Sequence, residues 1–179
     1  MSASRIQEGE ATASAIPPYR LLIREMMAPD VATVALLEAR SFSTPWKEGT
    51  FRTLLVRPGA ELWVAELEEQ GVIGYYVLWC IEDQGELANI AVREDLRGLG
   101  VGSRLLAHVI EIARDRGVQS LYLEVRESND QAAAMYKSHG FIQIGVRRNY
   151  YDRPREDARV LMKRLDEVAA ERDAERGGA

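Results

Sequence analysis

The amino-acid sequence predicts one α/β domain in which helices flank a mixed, mostly antiparallel sheet of seven strands. Between residues 62 and 92, three apolar segments are separated only by short polar or glycine-containing breaks, a pattern typical of antiparallel strands. Helical and strand-like patterns then alternate to residue 165. The chain of 179 residues can bury a substantial core, but it suits one domain better than two.

The first half of the chain is predicted to contain four strands and two helices. Residues 19–25 form a first strand, and Pro29 and Asp30 open a helix. Thr44 is expected to cap a second helix, with Pro45 in its first turn. Strands at residues 62–67, 72–81 and 86–92 then form an antiparallel meander. The predicted buried faces of the two helices comprise Val31, Val34, Leu36 and Leu37, then Phe51, Leu54 and Leu55.

The second half is predicted to add two helices and three strands. Apolar residues recur at helical spacing from residue 105 to residue 113, and Gly117 is placed to end that helix. A strand at residues 121–125 precedes a short helix that starts at Ser128-Asn129-Asp130 and stops at Gly140. Strands at residues 141–148 and 158–165 complete the sheet.

Two terminal segments lie outside this domain, which spans residues 19–165. Residues 1–18 are small and polar and end in Ile16-Pro17-Pro18. They lack the apolar surface that would offset ordering, so we expect a flexible N-terminal arm. Residues 166–179 are rich in alanine, glutamate, arginine and glycine without an apolar stripe, so we expect a charged peripheral tail.

Composition narrows the function classes. The net charge of -5 argues against a general polyanion-binding protein, so we expect no direct contact with nucleic acid. No uncharged apolar run is long enough to cross a bilayer, and the N-terminus lacks a basic segment followed by a hydrophobic one, so we expect no export signal. The single cysteine, Cys80, excludes an internal disulfide and is expected to be a buried strand residue. We therefore expect a cytoplasmic protein with no membrane partner. His108 and His139 lack metal-ligand partners at useful spacing, so we expect no metal.

The most informative segment joins the strand at residues 86–92 to the third helix. Its sequence is Arg97-Gly98-Leu99-Gly100-Val101-Gly102. A helix start leaves backbone N–H groups unpaired, and glycines allow a diphosphate to approach them, with Arg97 adding a positive charge. The spacing does not match G-x-G-x-x-G, and no Gly-Lys-Ser/Thr follows, which argues against a dinucleotide-binding fold and a P-loop. A tight turn without a ligand is the alternative.

Taken in order, the motifs of the chain resemble the RimI branch of the GCN5-related N-acetyltransferase (GNAT) superfamily. The resemblance covers about residues 21–165 and implies the GNAT fold, in which the central strands splay apart. It also implies acetyl transfer from acetyl-CoA to an amine without a metal, and the RimI branch acetylates the N-terminal alanine of a small-subunit ribosomal protein. Besides the glycine segment, it rests on Asn89-Ile90-Ala91-Val92, Leu123-Glu124-Val125-Arg126, Ser128-Asn129, Ala134-Met135-Tyr136, Gly140-Phe141 and Arg148-Asn149-Tyr150-Tyr151.

The resemblance implies a cofactor site along one strand and the helix that follows it. The backbone of Ile90, Ala91 and Val92 would face the pantetheine and the acetyl carbonyl. Asn129 would form a further hydrogen bond to the cofactor, although an asparagine at this position can also serve simply as a helix cap. The diphosphate would be wrapped by Arg97, Gly98, Leu99, Gly100, Val101, Gly102 and Ser103.

The resemblance also makes Glu124 the general base and Tyr136 the acid toward the departing sulfur. Strand alternation places Glu124 opposite its apolar neighbours, where a salt-bridged carboxylate is the alternative interpretation. For Tyr136 the alternative is a packing residue. A phenol with a pKa near ~10 is a weaker acid than a thiol near ~8.5, so Tyr136 needs either a hydrogen bond to the sulfur or a lowered pKa.

The aromatic pair Tyr150 and Tyr151 is a candidate for one wall of a peptide groove, and Phe42 with Trp46 for the other. The alternatives are a hairpin turn and core packing. Because an α-amine has a pKa near ~8 and lysine near ~10.4, neutralising lysine costs roughly 3 kcal/mol more. This difference favours a protein N-terminus as the substrate. Two rivals remain: acetyl transfer to lysine or a small-molecule amine, and a noncatalytic acetyl-CoA-binding module.

Overall fold

The computed structural model describes residues 21–165. The predicted arm at residues 1–18 and the predicted tail at residues 166–179 lie outside the described residues. The strands are β1 (Leu21–Glu25), β2 (Ala60–Leu67), β3 (Gly71–Ile81), β4 (Gln84–Val92), β5 (Ser120–Arg126), β6 (Ile142–Asp152) and β7 (Arg155–Arg164). The α-helices are α1 (Val31–Ser41), α2 (Glu48–Leu54), α3 (Val101–Asp115) and α4 (Asp130–Ser138).

All the strands belong to one sheet of 7 strands in the order β1-β2-β3-β4-β5-β7-β6. β4 and β5 are parallel, and every other neighbouring pair is antiparallel. The short breaks between β2, β3 and β4 produce the expected meander, because short turns return a chain beside itself. The predicted fold class and strand number are confirmed.

The two central strands pair only where they begin. Residues 84–86 of β4 pair with residues 120–122 of β5, whereas β4 continues to Val92 and β5 to Arg126. Beyond the paired residues the strands diverge, so each presents a backbone edge that has no strand beside it. This gap confirms the expected splay and creates an opening in the middle of the sheet.

The sheet is covered on both faces by apolar side chains. The core on one face contains the buried side of α3, together with Tyr136 and Phe141. The core on the other face contains the buried sides of α1 and α2. Adjacent residues of β3 alternate between the two cores, with Tyr75 in the α1 core and Tyr76 in the α3 core. The gap is therefore held between two packed layers.

Several local predictions were wrong. α2 begins at Glu48 with Lys47 as its cap, instead of at Thr44, because the backbone N–H of Trp46 donates to Glu38 Oε1 at 2.9 Å and holds this connection outside a helix. Leu36 is 62% exposed, since Glu38 takes its place on the buried face of α1. Cys80 is only half-buried on β3, near the end of the strand.

Candidate active site

Glu124 lies on β5, beside the point where the central strands diverge. It shares a surface groove with Trp79, Glu86, Tyr122 and Arg147. Leu121, Leu123 and Val125 are buried on the opposite face, which confirms the predicted alternation. The β5 backbone therefore presents one carboxylate toward the opening while its neighbours anchor the strand in the α3 core.

The surroundings of Glu124 act on its pKa in opposite directions. Burial raises the pKa of the carboxyl, the Arg147 guanidinium lowers it, Glu86 raises it and a hydrogen bond from Tyr150 lowers it, with a net increase. Arg147 Nη1 lies 2.7 Å from Glu124 Oε1. The salt bridge that the sequence offered as an alternative is therefore present, and it coexists with a carboxylate more basic than an exposed glutamate.

Tyr136 lies in α4 with 5% of its surface exposed. Its ring meets that of Phe141 at a centroid distance of 5.8 Å. Burial, followed by the nearby Tyr151, raises the pKa of the Tyr136 phenol well above its usual value. A lowered pKa is therefore not available to it in this state. The phenol stays protonated at neutral pH, which suits hydrogen-bond donation to a sulfur and not full proton transfer.

The glycine segment adopts the backbone needed for an anion site. Gly98 and Gly100 have φ values of 77° and 87°, in the left-handed region that disfavours other residues. A Cβ at either position would meet nothing within 4 Å, so open space lies in front of them. The N–H of Arg104 bonds the Gly100 carbonyl at 3.1 Å, which closes the first turn of α3. The N–H groups of the turn before it have no intrahelical partner.

The side chains around this segment have protein partners. Arg97 Nε donates to the Val92 carbonyl at 3.0 Å, and Nη2 donates to Ser41 Oγ at 3.4 Å. This guanidinium therefore ties the end of β4 to α1. Ser103 Oγ lies 3.1 Å from His139 Nε2, which links the first turn of α3 to the end of α4. His139 is thus a packing residue between two helices.

Asn129 is the N-cap of α4. Its Oδ1 accepts a hydrogen bond from the backbone N–H of Ala132 at 3.1 Å, so the expected helix cap is observed. The other histidine, His108, lies on α3 with Nδ1 at 2.9 Å from the Tyr76 hydroxyl, and burial lowers the pKa of its imidazole. Both residues stabilise the helices that flank the gap.

Two segments, named here the first and second walls, each contact Arg126 at the end of β5. The first wall, residues 42–47, is the connection from α1 to α2, and its Phe42 and Trp46 are half-buried against the α1 core. The second wall, residues 150–154, is the end of the β6–β7 hairpin. The rings of Tyr150 and Tyr151 meet there at 5.1 Å and 86°. The tyrosines lie within β6, which extends beyond its predicted end at residue 148.

Glu38 is a buried carboxylate, with 1% of its surface exposed, that was not predicted from the sequence. It accepts hydrogen bonds from the Tyr75 hydroxyl, the Trp46 backbone N–H and the Asn89 amide, the last at 3.0 Å. These bonds join α1, the first wall and β4. The signal in the sequence was a charged residue four positions after Val34, within the apolar face of a helix.

Across residues 21–165, none of the helices combines the length and apolar character required to span a bilayer. The same residues contain no group of three or more His, Cys, Asp or Glu side chains placed to hold a metal ion.

Known proteins resemble this chain both in sequence and in structure. The model of the Acetyltransferase (GNAT) family matches residues 31–141. A protein of Escherichia coli (strain K12) named [ribosomal protein bS18]-alanine N-acetyltransferase is 35% identical over 142 residues, or 78% of this chain and 94% of that protein. The crystal structure of the ribosomal-protein-S18-alanine N-acetyltransferase from Escherichia coli has a TM-score of 0.74 and 32% identity over 81% of this chain and 94% of that one. Ard1 from Thermoplasma volcanium has a TM-score of 0.75 and 25% identity over 82% and 98%.

Proposed function

Because this chain belongs to the acetyltransferase (GNAT) family, we propose that it transfers an acetyl group from acetyl-CoA to a protein N-terminal α-amine, with the N-terminal alanine of ribosomal protein bS18 as its substrate. The observation that carries the proposal is the position of Glu124, a half-buried carboxylate at the gap between two diverging strands. Similarity over almost the full length of the Escherichia coli enzyme supports the choice of acceptor. The reaction would take place in the cytoplasm, where ribosomal proteins are made.

Three groups of the protein take part in the proposed reaction. Glu124 accepts a proton from the incoming ammonium, directly or through a water, so that a neutral amine attacks the thioester carbonyl. Backbone N–H groups at the free edge of residues 90–92 hold the carbonyl oxygen as charge develops on it. The Tyr136 hydroxyl donates a hydrogen bond to the sulfur as the carbon–sulfur bond breaks. The departing sulfur takes the second proton that the attacking nitrogen releases, so the products are an N-acetylated chain and coenzyme A.

Binding of acetyl-CoA is assigned to the gap and to the glycine segment. The pantetheine would lie along the free edges of β4 and β5, as an added strand does, and the diphosphate would be held by the N–H groups at the start of α3. Residues 97–103 would supply this contact, and Asn129 would add a hydrogen bond. The side chain of Arg97 stabilises the glycine segment by donating a hydrogen bond to the Val92 carbonyl.

Peptides that reproduce the N-terminus of bS18 test the proposal. We expect a peptide with a free N-terminal alanine to be acetylated in the presence of acetyl-CoA, with a mass increase of one acetyl group. The matched control has the same sequence with its N-terminus already blocked, and we expect no change in it. Equal acetylation of both peptides would contradict the proposal, and so would an unchanged free peptide.

A further inference from the structure

Arg126 is the last residue of β5 and lies two positions after Glu124. Its guanidinium donates to four oxygen atoms, and it also stacks over the ring of Tyr151, with Cζ at 4.0 Å from the centroid. The four acceptors are Glu156 Oε2 at 3.1 Å, the Pro154 carbonyl at 3.4 Å, the Arg153 carbonyl at 3.1 Å and Ser43 Oγ at 2.7 Å. A planar guanidinium can satisfy several oxygens at once and stays charged at any working pH.

These partners belong to two segments that are far apart in sequence. Ser43 lies in the first wall, whereas Arg153, Pro154 and Tyr151 lie in the second wall. The bond from Arg126 to Ser43 spans 83 residues of sequence and is exposed to solvent. Because Arg126 is fixed to the second wall by its other contacts, the Ser43 bond joins the two walls.

We propose that Arg126 and Ser43 form a strap that holds the two walls together, so that Arg126 is a positioning residue for the acceptor chain. The inference rests on the proposed function, since it assumes that the acceptor lies between these walls. The bond between Arg126 and Ser43 involves neither Glu124 nor the glycine segment, so its loss is expected to weaken acceptor binding and to leave the chemical step and acetyl-CoA binding unchanged.

The contacts of Arg126 are unequal on the two sides of the strap, so the bond to the first wall breaks more easily than the others. One exposed hydrogen bond connects Arg126 to the first wall, whereas three further oxygens and a ring hold it on the side of the second. Water competes for the exposed bond, so breaking it costs far less than releasing the whole guanidinium. The first wall can therefore separate from Arg126 while an acceptor enters and then return.

Ser43→Ala tests the strap, because it removes one exposed hydroxyl and leaves the rest of Arg126's contacts in place. We expect the KM for the bS18 N-terminal peptide to rise about five-fold, with kcat and the KM for acetyl-CoA unchanged. Ser43→Thr keeps a hydroxyl and is expected to retain the original KM. Thr53→Ala removes an exposed hydroxyl from α2, outside both walls, and serves as the matched control.

A double variant shows whether Arg126 and Ser43 act through one shared bond or affect the peptide KM independently. Arg126→Gln is expected to raise the peptide KM at least as much as Ser43→Ala, and adding Ser43→Ala to Arg126→Gln should then have no further effect, since both remove the same bond. An unchanged KM in Ser43→Ala, or fully additive effects in the double variant, would overturn the inference.

Hydrogen exchange tests the strap without any turnover. In Ser43→Ala, we expect the amides of the first wall, residues 42–47, to exchange faster, while those of α3 keep their rates. Unchanged exchange in the first wall would overturn the strap. If the unmutated protein acetylated no peptide N-terminus, the proposed function would fail, and the exchange rates would still show whether the two walls are joined.

Discussion

At the scale of single residues, Glu124 forms the salt bridge that the sequence offered as the alternative to a general base. It is paired with Arg147 at 2.7 Å, yet burial raises the pKa of its carboxyl despite this partner. Strand alternation predicted the face of β5 on which Glu124 lies, and its role as general base stays a prediction from the surrounding motif. The ion pair was not predictable, because it depends on the conformation of a long side chain from another strand, β6.

Replacement of Glu124 by glutamine keeps its size and removes its basicity. We expect kcat for peptide acetylation to fall by about 10²- to 10⁴-fold, since a positioned general base contributes about this much. Acetyl-CoA affinity, measured by calorimetry, should stay within about two-fold, because Glu124 faces the acceptor side. Nearly full turnover in Glu124→Gln would show that Glu124 is not the general base.

The pH dependence of kcat reports on the Arg147 pair. Glu124 must be deprotonated to act, so activity falls as pH decreases through its pKa. Arg147 lowers that pKa, and Arg147→Gln is therefore expected to shift the acidic limb of the profile to higher pH. Arg148→Gln is the control, since Arg148 pairs with Asp157 at 2.6 Å. The acidic limb of its pH profile is expected to stay at the same pH as in the unmutated protein. A shift to lower pH in Arg147→Gln would contradict this account.

At the scale of elements, local signals predicted α3 well and α2 poorly. The apolar residues of α3 repeat at helical spacing between a glycine segment and Gly117, so the residues themselves define both ends. The start of α2 depends instead on the bond from the Trp46 N–H to Glu38, which lies eight residues earlier. No local preference at Thr44 or Pro45 could reveal that bond.

The start of α3 offers a matched pair of glycines for a binding test. Gly100 and Gly117 have φ values of 87° and 77°, and a Cβ at either would meet nothing within 4 Å. Alanine at each is therefore expected to lower the free energy of unfolding by a similar ~1 kcal/mol. Only Gly100→Ala should also weaken acetyl-CoA binding, by about ten-fold in calorimetry. Equal affinities in the two variants would argue against the diphosphate contact.

At the scale of the whole molecule, the site depends on pairings between distant segments. β7, the last strand of the chain, lies between β5 and β6. This order places β6 close enough for Arg147 and Tyr150 to reach Glu124. The number of strands and their approximate bounds were readable from patterning, and the family resemblance supplied the splay. Contacts such as those of Glu38 and Arg126 required the folded chain, because their partners lie up to 83 residues away.

We expect the gap between β4 and β5 to deliver an N-terminal α-amine to Glu124. A single peptide with a free N-terminal alanine and an internal lysine, incubated with acetyl-CoA and analysed by tandem mass spectrometry, tests it most directly. The account predicts one acetyl group on the α-amine and none on the lysine, because the α-amine is neutralised at a cost lower by roughly 3 kcal/mol. Acetylation of the lysine in preference to the α-amine would contradict it.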